Sequence, residues 1–212
     1  MAKKAMYRSW FKREAPRHTI SGMLLPALAL AAACLSTGAA SSQTPPPANA
    51  AERLFEPIRS VLQHPRCQNC HIAGDRPLQF DSGQLHAQNV MRGTDGRGMV
   101  GMRCTTCHQS QNAPAVLGPY APPGAPNWHL PPSNMKMVFK DLSSHDVCVT
   151  LKDPQLNGGK SLDDLVRHFE EDKLVDWGWH PGGNRTVPPL TKEQTVAAVK
   201  GWVAAGAPCP QE

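Results

Sequence analysis

The sequence predicts a mainly α fold with abundant coil, arranged as one compact domain. Three observations predict it. Four short segments carry helical signals, either apolar residues at helical spacing or a capping pattern. The 212 residues include 21 prolines and 17 glycines, which break the intervening chain into irregular loops. No stretch alternates apolar and polar residues convincingly enough for a half-buried strand.

The elements follow in chain order. Residues 1–40 read as an export signal outside the fold. Lys3, Lys4, Arg8, Lys12, Arg13 and Arg17 precede an uncharged stretch whose apolar heart runs from Gly22 to Leu35. That run is shorter than the ~18–20 apolar residues of a membrane span. Gly38, Ala39 and Ala40 predict cleavage after Ala40. Residues 41–50, rich in proline, read as a flexible linker. Membrane association is expected only if Cys34 is lipidated or the signal stays uncleaved.

The domain proper is then 51–212. Leu54, Phe55, Ile58, Val61 and Leu62 form one apolar helical face, with Pro57 placed in a first turn. Residues 74–102 are glycine-rich loop, and 111–136 are proline-rich coil. Ser143 with Asp146, Ser161 with Asp164 and Thr191 with Gln194 each carry a capping pattern. The helices they open run to about Lys152, past Phe169, and to a stop near Gly206.

Charge excludes one partner class. The first 40 residues hold six of the 22 basic and one of the 17 acidic residues, so the remainder is balanced at 16 of each. The net charge of +5 therefore belongs to the export signal, and no nucleic-acid partner is implied.

Two copies of one pattern carry the chemistry: Cys67-Gln68-Asn69-Cys70-His71 and Cys104-Thr105-Thr106-Cys107-His108. C-x-x-C-H is the attachment signature of c-type haem. Two thiols must span the two vinyl groups of one porphyrin, and a single turn with two residues between them supplies that distance. The following His points at the iron as its proximal ligand. The sequence thus predicts two covalent haems c, held by Cys67, Cys70, Cys104 and Cys107, with His71 and His108 on the irons. Only 37 positions separate Cys67 from Cys104, which favours one compact cytochrome c domain with two close haems over two domains in tandem. A four-cysteine zinc ribbon and plain disulfides are the alternatives for the same cysteines, but neither requires a His behind each pair.

For the distal side of each iron, His86 and His129 rank first, because each sits in irregular backbone near a motif. His64 lies three residues before Cys67, and Met102 and Met135 lead the methionines. His168 and His180 read as helix-face and loop residues. Arg66, Arg76, Arg92, Arg97 and Arg103 are candidate partners for the haem propionates, or simply solvated. Cys148 and Cys209 are left over in an exported chain, and a disulfide between them is expected over two free thiols. With few aromatic residues to build a core, the haem-free chain is expected not to fold stably.

The motifs resemble those of the c-type cytochromes. The stretches 64–71, 101–108 and 202–208 also resemble a group of small exported bacterial proteins that often carry the name isoquinoline 1-oxidoreductase subunit. No molybdopterin or iron–sulfur pattern accompanies them, so the resemblance implies a cytochrome component serving such an oxidoreductase. The functional expectation is a periplasmic electron-transfer protein with a redox partner protein. The alternative is a haem enzyme, such as a peroxidase, with one open iron.

Overall fold

The computed structural model describes residues 49–212, which lie in one compact unit. The expected signal, the Cys34 site and residues 41–48 of the expected linker fall outside the described residues. The architecture is mainly helical with little sheet. Among the described residues no helix is long and apolar enough to cross a membrane.

Helix α1, Ala50–Leu62, starts within the expected linker because Asn49 caps it: its side chain accepts from the Glu52 backbone N–H at 2.8 Å while Glu52 reaches back to Asn49. Phe55, Ile58, Val61 and Leu62 are buried, as their spacing predicts. Pro57 lies inside the helix and not in its first turn. The turn Pro65–Gln68, α2, follows directly and carries Cys67, with Cys70 just beyond its end.

Two minimal hairpins occupy the glycine-rich stretch that the sequence leaves as loop. Strand β1, Leu78–Gln79, pairs with β2, Gln84–Leu85, and β3, Gly98–Met99, pairs with β4, Met102–Arg103. At two residues each, the strands are too short for alternation to register in the sequence.

The C-terminal helices are capped as the sequence predicts. Ser143 caps α3, Ser144–Lys152; Ser161 caps α4, Leu162–Glu171; and Thr191 caps α6, Lys192–Ala204. A fourth short helix, α5, Lys173–Asp176, is an addition, opened by Asp172, which also closes α4. Helix α1 packs on α6 and α3, and α4 packs on α6. Their shared core includes Phe55, Ile58, Val147, Leu151, Leu165, Phe169, Val199 and Trp202. Cys148 in α3 and Cys209 beyond α6 stand at disulfide distance, with sulfurs 2.07 Å apart.

The coil half has a much smaller core of Cys104, Ala125, Trp128 and Leu130. Asn112 ties it to the helices: its amide accepts from Trp177 Nε1 at 2.9 Å and donates to the His180 carbonyl at 2.8 Å.

Candidate functional site

Both motifs close the same turn. In the first, the His71 N–H donates to the Cys67 carbonyl at 3.2 Å; in the second, the His108 N–H donates to the Cys104 carbonyl at 3.0 Å. One turn therefore presents two thiols and an imidazole in each case.

The two imidazoles are also held alike. His71 Nδ1 lies 2.8 Å from the Met137 carbonyl oxygen, and His108 Nδ1 lies 2.7 Å from that of Pro123. A carbonyl can only accept, so each Nδ1 carries the proton and each Nε2 keeps its lone pair, which is how metal-binding histidines are oriented. Each ring lies flat on an aromatic side chain. His71 stacks on Phe139 at 4.2 Å between centroids, and His108 stacks on Trp128 at 4.5 Å. Burial pushes the His71 pKa down to about 4 and lowers that of His108, so both rings favour the neutral, ligating form.

Segment 137–139, which carries the first anchor, is itself fixed. The Phe139 N–H donates to the His71 carbonyl at 2.9 Å, and Gln63 at the end of α1 donates to the Phe139 and Leu142 carbonyls at 3.0 and 2.8 Å.

The surroundings of the two motifs differ. Cys67, Cys70 and His71 line a cavity of about 420 Å³ whose walls include Leu62, Phe139, Leu165 and Phe169. Burial pushes the Cys67 thiol up to about 12 and the Cys70 thiol up to about 11. Both thiols therefore favour the neutral form. At the second motif Cys104 is buried and Cys107 exposed. Cys70 packs against the cluster of Cys104 and Trp128, so the two motifs meet there.

Of the residues expected on the distal side, His86 comes to the second motif. Its ring centroid is 6.1 Å from that of His108, at an interplanar angle of 71°. Two metal–nitrogen bonds of about 2 Å plus the two ring radii span about 6 Å, so the pair is spaced for one iron between them. His86 Nδ1 is buried without a hydrogen bond, while the Gln88 side chain engages the ring. His129 lines the cavity of the first motif, together with Met135 and His168. Met102 lies in β4, is exposed, and is absent from that cavity. His64 caps α2 instead: Nδ1 accepts from the Arg66 N–H at 3.3 Å and Nε2 lies 3.2 Å from Thr186 Oγ1.

The arginines divide in the same way. Arg92, fully buried, is a staple, donating to the carbonyls of Pro131, Ile72 and Gly74. Arg97 bonds Asn127, and Arg103 bonds Asp95. Arg66 lines the cavity and pairs with Asp81, yet its Nε is buried without a partner, and the same holds for Arg76 Nε. Arg66 and Arg76 thus retain donors for an anion.

These features fit two c-type haems. Each motif offers an oriented imidazole, the first opens onto an apolar cavity with an unsatisfied guanidinium donor, and the second faces a spaced partner imidazole. The four motif cysteines are free of disulfides. Among the described residues no group of three or more His, Cys, Asp or Glu is gathered that could hold a metal ion.

No family model, curated protein or solved structure matches this chain.

Proposed function

We propose that this chain is an exported dihaem c-type cytochrome that passes electrons to and from a redox partner protein, as a carrier or as the cytochrome subunit of an oxidoreductase. The observation that carries the reading is the repeated geometry: two C-x-x-C-H turns, each with its imidazole anchored through Nδ1. Cys67 and Cys70 would hold one porphyrin and Cys104 and Cys107 the other through thioether bonds. His71 and His108 would ligate the irons, and His86 would take the distal side of the second. Bound haem supplies one-electron chemistry.

The protein's own groups then do the rest. The Met137 and Pro123 carbonyls fix the tautomers of the proximal rings and raise their donor strength. Trp128, stacked on His108 and lining the cavity beside His71, joins the two sites through packed side chains. Cys107 is exposed, as are Met99, Val100 and Met102 a few residues before it in the chain, which favours electron exchange with a partner at that end. The half-open, mainly apolar cavity beside His71 favours a less exposed position for the other haem.

The test is a haem-per-chain determination with absorption spectra in both redox states, on protein made with haem-attachment machinery. Two covalent haems, both low-spin, are expected. The alternative of a haem enzyme draws on the cavity beside His71, which has room for a small molecule at an open iron. Fast cyanide binding by the resting protein would favour it. Zinc in place of haem would overturn both.

A further inference from the structure

In the dihaem reading the distal side of the first haem still lacks a residue, and assigning one rests on that reading. His129, Met135 and His168 line the cavity with a donor atom each. They differ in how they are held.

His168 stands on α4, the helix whose Leu165 and Phe169 are buried in the core. Its Nδ1 lies 3.2 Å from Asp172 Oδ2. Asp172 is fixed in turn, because its other oxygen accepts from the Leu174 N–H at 2.8 Å as the cap of α5. A carboxylate that takes the Nδ1 proton fixes the tautomer, leaves the Nε2 lone pair to face outward and raises its basicity. Carboxylate–histidine–metal triads are built this way.

His129 lacks such support. Its Nδ1 meets the carbonyl of Asn127, two residues back in the same coil, at 2.5 Å. That bond fixes the ring to a local turn but not to the frame that carries His71. Met135 lies in a turn closed by its own N–H to the Pro132 carbonyl at 3.0 Å.

We propose that His168 is the distal ligand of the haem held by Cys67, Cys70 and His71, with Asp172 as the positioning residue that orients its ring. This side would then mirror the His86–His108 pair, giving two bis-histidine irons.

The experiment uses the full chain matured with two haems and reads haem content, absorption and electron paramagnetic resonance. His168→Ala should retain two covalent haems per chain, convert half of the low-spin signal to high-spin, and recover it with added imidazole. His129→Ala should leave both haems low-spin. Asp172→Asn should keep both low-spin and raise one reduction potential, since a weaker acceptor makes the ring a weaker donor.

Should His168→Ala yield no folded protein, His168→Met decides. A methionine–iron charge-transfer band in the near infrared that persists when Met135→Leu is added, so that the cavity's own methionine cannot supply it, shows that position 168 reaches the iron. Two haems that stay low-spin in His168→Ala, or no such band in His168→Met, overturn the assignment while leaving the cytochrome reading intact. Loss of low-spin signal in His129→Ala instead moves the ligand there. A wild-type chain with fewer than two covalent haems overturns both.

Discussion

Around Cys67–His71 the chain wraps α1, α3 and α4, a core of large apolar side chains and a cavity of about 420 Å³. Around Cys104–His108 it wraps two-residue hairpins, proline-rich coil and a buried cluster of only four residues. The turns are nearly the same, and so are the carbonyl anchors on the imidazoles. The local turn and its anchor therefore define the chemistry in this fold, while the surroundings set how dry and how reachable each site is. On the proposed dihaem reading, an iron in the more apolar surroundings should differ in potential from the other, so the comparison predicts two separable redox transitions.

The largest effect tests which half depends on its haem. Removing the first haem with Cys67→Ala and Cys70→Ala leaves the cavity without its filling. An unfilled apolar cleft costs stability in proportion to how little its walls can close in. That double variant is expected to lose its cooperative thermal transition. Cys104→Ala with Cys107→Ala is expected to keep one haem and most of the far-ultraviolet helical signal, because α1, α3, α4 and α6 share a core that motif two does not enter. Equal loss in both variants would break the comparison.

The clip between Cys148 and Cys209 comes next. It closes a sequence separation of 61 residues, for which loop-closure entropy gives about 4 kcal/mol. Cys148→Ser with Cys209→Ser should lower the urea midpoint accordingly. The spectrum of the second haem should hold until the helices melt, since both cysteines lie in the helical half.

The helical half was largely legible in the sequence, and the site only in part. Ser143, Ser161 and Thr191 announce their helices because a cap is a local signal written in a few adjacent residues; Asn49 carries the same pattern with Glu52 but falls in the stretch that reads as linker. The C-x-x-C-H turns are legible for the same reason. The cavity wall is not, because it joins His71 to α4, and nothing local relates residues so far apart. His86 could be nominated from its place in a loop, but its 6.1 Å approach to His108 depends on how β1, β2 and the following coil fold back. His168 reads as an ordinary helix-face residue until the cavity is seen. The signal that could have found it was the Asp172 one turn later, a carboxylate at the spacing that reaches a histidine ring. The expected shortage of core holds for the coil half alone. The helical half buries Phe55, Phe169 and Trp202 in its own core.

Gly96 offers a smaller, one-sided perturbation. It sits at φ +77°, and a Cβ there would lie 1.9 Å from the Leu130 carbonyl oxygen. That same backbone pairing, Leu130 N–H to Gly96 carbonyl at 2.9 Å, seats the loop beside Cys104 and Trp128. Gly96→Ala must break it. The expected cost is about 1–3 kcal/mol, with broadening of the second haem's spectrum and no change in the first. A change confined to the first haem would contradict the division into two environments.

The smallest effect comes from the other half. Ser161 Oγ accepts from the Asp164 N–H at 3.1 Å at the start of α4, and Asp164 reaches back to the Ser161 N–H at 3.0 Å. Ser161→Ala removes one of these two bonds and leaves the other in place, so the helix should fray at its first turn at a cost of about 1 kcal/mol. His168 lies two turns further along the helix, beyond the reach of fraying. Stability read by thermal melting should fall, while the absorption spectrum and both reduction potentials stay where they were. If the first haem's potential moves instead, the start of α4 is coupled to the cavity, and the enclosed site is less rigid than its packing implies.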